Sequence, residues 1–227
     1  MQLTNYSRFL ARVDELGFMP MSKFLPGFPS LSAETPQSIW FTGDPDTDPW
    51  SWKDRAAEDK HVAFGCLLNG HRGFVSASMY PFFFKAFHPR EHMEERRAYG
   101  LVNPTVWELW RLFEMQPRLS TSEIRRLMGV MHKSGGSKVD GAVKELQRLY
   151  YITVAGNRRK TDRFGRPYAW PANLYEKVVD WAPSGWLKPI PGMTVEDAQD
   201  EILDRGIEIG VNVSREDLAK KLGFKLV

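Results

Sequence analysis

Basic side chains gather in one part of this sequence and form its strongest chemical signal. Between Arg118 and Tyr168 there are twelve lysines and arginines but only four acidic residues, so this segment carries a formal charge of +8. The rest of the chain carries −5, and the whole chain has a net charge of only +3. Such an uneven distribution is typical of a surface that binds a polyanion, and nucleic acid is the commonest one.

Part of this basic segment is predicted to contact DNA directly. The expected contacts lie on one predicted helix and in the loop after it: Ser137, Lys138, Lys144, Arg148, Arg158, Arg159, Lys160, Arg163 and Arg166. The hydroxyl of Ser137 and the first backbone amides of its helix suit a phosphate, because helix N-termini attract anions. Each phosphate that the cations neutralise releases counterions, so the affinity should fall steeply with salt.

A second group of residues could act on a nucleobase. Trp50, Trp52, Lys53 and Asp54 follow one another closely in an aromatic part of the chain. Aromatic walls can stack an unpaired base, and a lysine or an aspartate beside them could act on it. The alternative is that these aromatic residues simply fill the core.

Neither a metal nor a cofactor is expected. The alternate aspartates of Asp44–Asp48 imitate an EF-hand loop, but Pro49 replaces the required glycine and Arg55 occupies the closing glutamate position. Asp-Pro turns and one helix-capping aspartate explain this run instead. The His88–His92 run matches an inverted zincin pattern, but its proline and arginine indicate a helix start. The sequence also lacks a Gly-rich phosphate loop and a Cys-x-x-Cys pair.

Three helices are predicted to carry or support the positive charge. Asn103 before Pro104 is typical of a helix start. Ser120 and Glu123 form a capping box for a second helix. Ser137 is the predicted N-cap of the third helix, whose apolar residues recur at helical spacing.

Two strands are predicted to follow the third helix. Tyr151–Ala155 has the composition of a strand, Gly156–Pro167 is a polar basic loop, and Tyr168–Trp170 can return as the second strand. A capping-box pattern at 173–176 would then open a helix that ends at Trp181. Three helices followed by two strands around a basic loop predict a winged helix, whose third helix would enter the major groove of DNA.

The region before the basic segment is predicted to be mixed. Thr4 would cap a first helix, and the prolines and glycines of residues 19–50 predict a long loop without regular elements. Residues 50–60 could form a short helix, and two strands are expected to join through Asn69-Gly70 as a hairpin. Ser78 would cap an aromatic helix.

The predicted fold class is therefore α+β, with a winged-helix domain in its centre. Residues 1–100 form an aromatic-rich mixed α/β region with a long Pro/Asp-rich loop, residues 101–187 the winged helix, and residues 188–227 a short helical tail. A single cysteine, Cys66, allows no intramolecular disulfide, which fits a reducing compartment. No apolar run reaches the roughly 18 residues of a membrane span, so we expect a cytoplasmic protein without a membrane partner.

Several runs of residues resemble those of a known family. Leu119–Gly129, Val143–Arg148, Tyr151–Gly156 and Gly43–Lys53 are similar to bacterial AlkZ-related proteins, which are kin of the AlkZ/YcaQ winged-helix DNA glycosylases. The likeness covers roughly residues 8–187. It implies DNA binding and excision of alkylated bases, yet the glycosylases' Gln-x-Gln or Gln-x-Asp pattern is missing from this chain.

Three functions remain open at this point. The leading hypothesis is a non-enzymatic DNA-binding protein associated with DNA damage handling. The second is a glycosylase-like hydrolase that acts on alkylated bases with a new catalytic carboxylate. The third is a protein-interaction scaffold, because winged helices also serve as protein contacts.

Overall fold

Antiparallel strand pairing connects the two halves of the chain. The computed structural model describes residues 2–130 and 136–226, and within these ranges six strands form one sheet in the order β1-β3-β2-β5-β6-β4. The strands are β1 (Phe18–Pro20), β2 (Val62–Leu68), β3 (His71–Ser76), β4 (Arg118–Ser120), β5 (Ile152–Thr161) and β6 (Pro167–Lys177).

Helices surround the sheet. They are α1 (Tyr6–Leu16), α2 (Leu31–Glu34), α3 (Pro49–Glu58), α4 (Tyr80–Phe87), α5 (Met93–Ala98), α6 (Pro104–Met115), α7 (Thr121–Leu127), α8 (Gly136–Arg148), α9 (Val178–Trp181), α10 (Val195–Ile209) and α11 (Arg215–Leu222). None of the helices in the described ranges combines the length and the apolar character needed to cross a membrane. The combination of these helices with a sheet confirms the predicted mixed α/β composition.

The predicted hairpin of β2 and β3 is confirmed. Asn69 and Gly70 join the two strands with φ of 49° and 83°, which is the turn conformation that Asn-Gly favours. A Cβ atom built on Gly70 would lie 2.6 Å from Cε of Lys144 on α8. The hairpin turn therefore lies directly against the third helix of the basic segment.

The predicted long loop over residues 19–50 is wrong, because local hydrogen bonds create short elements there. β1 pairs with β3, and Ser30 caps α2 by accepting a hydrogen bond from the amide of Ala33. A single 3-10 turn follows at Gln37–Ile39. The first helix is capped by Asn5 rather than Thr4, since the Asn5 side chain accepts from the amide of Arg8.

The aromatic helix α4 also begins differently from the prediction. Its N-cap is Met79, and the hydroxyl of Ser76 accepts a hydrogen bond from the Met79 amide. Ser78 instead shares a hydrogen bond with Ser76 at 2.9 Å. The hydroxyl that contacts the N-cap amide therefore comes from Ser76, at the end of β3.

The region of the predicted winged helix, which contains the basic segment, forms the order α6–β4–α7–α8–β5–β6. Asn103 caps α6, and Ser120 and Glu123 form the predicted capping box of α7. The described part of α8 begins at Gly136, so Ser137 lies within the first turn rather than at the predicted N-cap. Residues 131–135, which include the predicted turn before α8, lie outside the described residues.

The strands of the basic segment are longer than predicted. β5 extends to Thr161 and β6 begins at Pro167, so the predicted loop over 156–167 shrinks to a turn at residues 162–166. The predicted helix opened at 173–176 is wrong, because these residues pair within β6 with both β4 and β5. Strand pairing from two sides outweighs the local capping pattern. The helix that ends at Trp181 is therefore short, and it begins only at Val178.

Strand β2 joins the sheet of the first hundred residues to the basic segment. Phe64 pairs with Val154, and the hydroxyl of Thr153 donates to the carbonyl of Phe64 at 3.3 Å. The indole N–H of Trp181 donates to the carbonyl of Ala57 at 3.0 Å. These buried contacts fix α3 and the hairpin relative to the basic segment, and a cleft lies between them.

Candidate nucleic-acid interface

A cleft of about 630 Å³ lies between α3, the β2–β3 hairpin, α7, α8 and β6. We call it the Lys53 cleft. Its charged and polar lining residues are Lys53, Arg72, Thr121, Ser122, Arg125, Asp140, Lys144, Gln147 and Asn173. Aromatic rings of Trp50, Phe64 and Tyr175 complete its walls. The cleft has the size of a small-molecule site and a predominance of cations.

The positive charge of the Lys53 cleft is only partly compensated. Arg125 forms an ion pair with Asp140, with Nη2 and Oδ2 at 2.6 Å. Across the described ranges, no ion pair involves Arg72 or Lys144. The cleft therefore presents two cations that lack a carboxylate partner, which is the arrangement that a phosphate group neutralises.

Lys53 and Asp54 form a buried ion pair at the wall of this cleft. Nζ of Lys53 lies 2.6 Å from Oδ1 of Asp54, and each side chain is only 8% exposed. The same Nζ lies 4.6 Å from the ring centroid of Trp50. Burial lowers the pKa of the Lys53 amine, although the neighbouring Asp54 carboxylate acts in the opposite direction.

Helical spacing decides which residues of the predicted pocket lie on the side of α3 that faces the clefts. Lys53 and Asp54 follow Trp50 by three and four positions, so both share one face of α3 with it. Trp52 lies on the other side, fully buried, where it stacks on Phe9 with ring centroids 5.3 Å apart. The structure thus brings together three of the four predicted pocket residues and places Trp52 in the core.

A second cleft of about 570 Å³ adjoins the first and shares Trp50 and Pro171 with it. We call it the Arg159 cleft. Its charged lining residues are Asp48, Asp54, Arg55, Glu58 and Arg159. Both signs of charge meet here, so this cleft lacks the cationic excess of the Lys53 cleft.

The aspartates before α3 serve the backbone. Asp48 is buried and accepts hydrogen bonds from the amides of Gly43 and Trp50, so it caps α3 as predicted. Asp44 accepts from the amides of Asp46 and Thr47 in a tight turn. In the part of the chain that the structure describes, no three His, Cys, Asp or Glu side chains are grouped to hold a metal ion.

Three of the predicted DNA contacts already have carboxylate partners. Arg148 pairs with Glu145 at 2.6 Å, Arg158 with Glu123 at 2.7 Å, and Arg166 with Asp162 at 3.0 Å. The latter two arginines are about half or more exposed. Their charge is locally compensated, so they attract a polyanion less than a free cation does.

The remaining predicted contacts are distributed over α8, β5 and the turn. Ser137, Lys138 and Lys144 are exposed on α8. Arg159 lines its own cleft, and the guanidinium of Arg163 lies 4.7 Å from the ring of Phe164 at the tip of the turn. The side chain of Lys160 lies outside the described residues.

Sequence reasoning did not assign Arg72, Arg125 and Gln147 to a site. Gln147 is buried, accepts a hydrogen bond from the amide of Cys66 and donates one to the carbonyl of Val143. A glutamine four positions after Val143 on an apolar stripe was a signal for such a role. No local sequence pattern indicates that Arg72 lines a cleft, because only the packing of the hairpin on α8 brings it there.

A separate cavity of about 510 Å³ lies beside α4 and α5 and is mainly apolar. His88, Trp110 and Tyr151 are among its lining residues. It shares no lining residue with either cleft, so it does not belong to the cationic surface.

Fold and site together define a mixed α/β protein with a cationic cleft beside a unit of three helices and three strands. The chain belongs to the AlkZ-related family, whose family model matches residues 3–223. This match confirms the resemblance seen over residues 8–187. No curated protein and no solved structure matches the chain.

Proposed function

We propose that this protein binds duplex DNA through a winged helix and takes part in the handling of DNA damage. The order α6–β4–α7–α8–β5–β6, with β4 and β5 on either side of β6, supports a winged helix. Membership in the AlkZ-related family supports the connection with damaged DNA.

The observation that carries the proposal is the cationic excess of the Lys53 cleft. Arg72 and Lys144 face it without an ion-pair partner in the described chain, and Lys138 stands exposed on the same helix as Lys144. A row of uncompensated cations beside a concave surface suits the phosphates of a DNA backbone.

The packing of α8 favours backbone contacts over the reading of base edges. The hairpin turn at Gly70 lies against Lys144, and Gln147 is hydrogen-bonded to β2. The exposed side chains Ser137, Lys138 and Lys144 on the outward face of α8 suit phosphate contacts. Binding should therefore depend little on DNA sequence.

Neighbouring arginines on β5 provide the experiment. Arg158 is neutralised by Glu123, whereas Arg159 lines a cleft and forms no ion pair within the described residues. Arg159→Ala should weaken duplex binding and lower the slope of log affinity against log salt by about 1. Arg158→Ala should change both much less.

The measurement is a titration of labelled duplexes of different sequence at two salt concentrations. Binding without salt dependence would contradict the proposed surface, and equal losses in the two variants would contradict the role of Arg159 as a DNA contact. The Arg158→Ala/Arg159→Ala/Lys160→Ala variant should weaken binding similarly for all sequences.

A second candidate function is a glycosylase-like hydrolase for alkylated bases. The observation that favours it is the buried Asp54 carboxylate, which lines the Arg159 cleft and pairs with Lys53 of the Lys53 cleft. Incubation with an alkylated duplex should then produce abasic sites. Good duplex binding without base release would exclude this activity.

A further inference from the structure

The buried amine of Lys53 is not explained by binding to the DNA backbone. An exposed lysine such as Lys144 attracts a phosphate without being taken out of water. Burial of the Lys53 side chain to 8% exposure costs free energy, because its charged form loses hydration. A need for positive charge in the cleft does not by itself explain why the lysine at position 53 is buried.

The surroundings of Lys53 suit an amine that reacts in its neutral form. Burial lowers the pKa of this amine, so the neutral form is reached more readily than in an exposed lysine. Oδ1 of Asp54 lies 2.6 Å from Nζ, which is within hydrogen-bond distance for a proton transfer from the amine. Neutral lysines attack carbonyl carbons and form imines.

The cleft in front of this amine suits a nucleotide without a base. The ring of Trp50 lies 4.6 Å from Nζ and forms an apolar wall. Arg72 and Lys144 line the same cleft and can neutralise phosphates on either side of a sugar. An abasic deoxyribose exposes an aldehyde when its ring opens, and it has no base that would fill the cleft.

We propose that Lys53 captures the aldehyde of an abasic site in DNA as an imine within the Lys53 cleft. This inference rests on the DNA binding proposed above and adds a covalent step to it. The substrate is the product of N-glycosidic bond hydrolysis. A reaction that hydrolyses such a bond must therefore come first and supply the abasic site.

The step is balanced without any oxidant or reductant. Asp54 takes a proton from Nζ, and the nitrogen lone pair attacks the aldehyde carbon. The carbonyl oxygen gains the electron pair of the broken π bond and receives the proton from Asp54. Loss of this oxygen as water, with the second proton of the nitrogen, leaves a carbon–nitrogen double bond.

Hydride trapping tests the proposal on the full chain. The protein is mixed with a duplex that contains one abasic site, and borohydride reduces any imine to a stable amine. Denaturing electrophoresis then detects the crosslink, and peptide mass spectrometry locates it. A duplex whose abasic site has been reduced to the alcohol beforehand offers no aldehyde and should give no crosslink.

Two arginine variants separate Lys53 from other lysines. Lys53→Arg keeps the charge beside Asp54 but removes the nucleophile, so the crosslink should be lost. Lys220→Arg changes an exposed lysine of α11 outside the cleft, and its crosslink should equal that of the wild type. Mapping of the wild-type crosslink decides the matter even if Lys53→Arg does not fold.

The outcomes also separate this inference from the proposed function. Salt-dependent duplex binding without a trapped adduct, or an adduct that maps to Lys144 or another lysine, would overturn the role of Lys53 alone. Absence of any duplex binding would overturn the DNA-binding proposal and this inference with it. A crosslink at Lys53 that needs the free aldehyde supports both.

Discussion

Glu123 shows how one side chain connects helix formation with the basic surface. Its carboxylate accepts hydrogen bonds from the amide and the hydroxyl of Ser120, at 2.8 and 2.7 Å, and from Nη1 of Arg158 at 2.7 Å. Partial burial alone would raise the pKa of Glu123. The hydrogen bonds from Ser120 and the charge of Arg158 outweigh burial, and the pKa falls below its ordinary value.

This lowered pKa predicts a pH-dependent contribution to stability. Because the folded-state pKa lies below the unfolded one, the contribution is complete above the unfolded value of about 4.3. It disappears as the pH falls through the folded-state pKa. At about pH 7, Glu123→Gln should lower the free energy of unfolding by up to about 1 kcal/mol, because glutamine can complete the capping box but lacks the charge that pairs with Arg158.

Urea unfolding at neutral and at acidic pH measures this effect. The difference between Glu123→Gln and wild type should shrink at acidic pH, because the wild-type carboxylate is then protonated. Glu108→Gln is the matched control, since Glu108 is exposed on α6 and forms no ion pair in the described ranges. Equal behaviour of the two variants would contradict the assigned role of Glu123.

At the scale of elements, local signals predicted the helices and the hairpin well. The Asn69-Gly70 turn and the capping box of α7 depend on residues within a few positions, and both are confirmed. The capping pattern at 173–176 failed for the opposite reason. Its residues are held by β4 and β5, and such long-range pairing leaves no local trace.

The candidate site was predictable to the extent that it comes from one element. Trp50, Lys53 and Asp54 lie on α3, and helical spacing alone places them on one face. Arg72 reaches the cleft only through the docking of the hairpin on α8. Gln147 and Cys66 are 81 positions apart in sequence, so their hydrogen bond follows from packing alone.

Helix α8 offers a prediction of its own at Gly141. This glycine is exposed in the middle of the helix, and a Cβ atom built there would meet nothing within 4 Å. Glycine in a helix interior costs about 1 kcal/mol relative to alanine, because it gives up more backbone freedom. Gly141→Ala should therefore raise the free energy of unfolding by about 1 kcal/mol.

Chemical denaturation of the two proteins measures this gain. No gain would show that the backbone around Gly141 is not helical in solution. Gly70→Ala is a useful contrast, because the same change at φ of 83° and 2.6 Å from Lys144 should destabilise the protein.

For the whole molecule, the location of charge matters more than its total. The segment from Arg118 to Tyr168 carries +8 and the remainder −5, so the net charge outside this segment repels DNA. A polyanion that responded only to net charge would be bound weakly, since the total is +3. If the binding surface is localised, removing the same number of cations from different places should have unequal effects on the affinity for DNA.

Two double variants of equal charge test this prediction. Lys138→Ala/Lys144→Ala removes two exposed cations from α8, and Arg8→Ala/Arg97→Ala removes two exposed cations from α1 and α5. If each α8 lysine neutralises one phosphate, the first variant should lower the slope of log affinity against log salt by about 2. The second should leave the slope near that of the wild type. Equal slopes in the two variants would mean that DNA responds to overall charge. That result would contradict the assignment of the binding surface to the α8 side of the molecule.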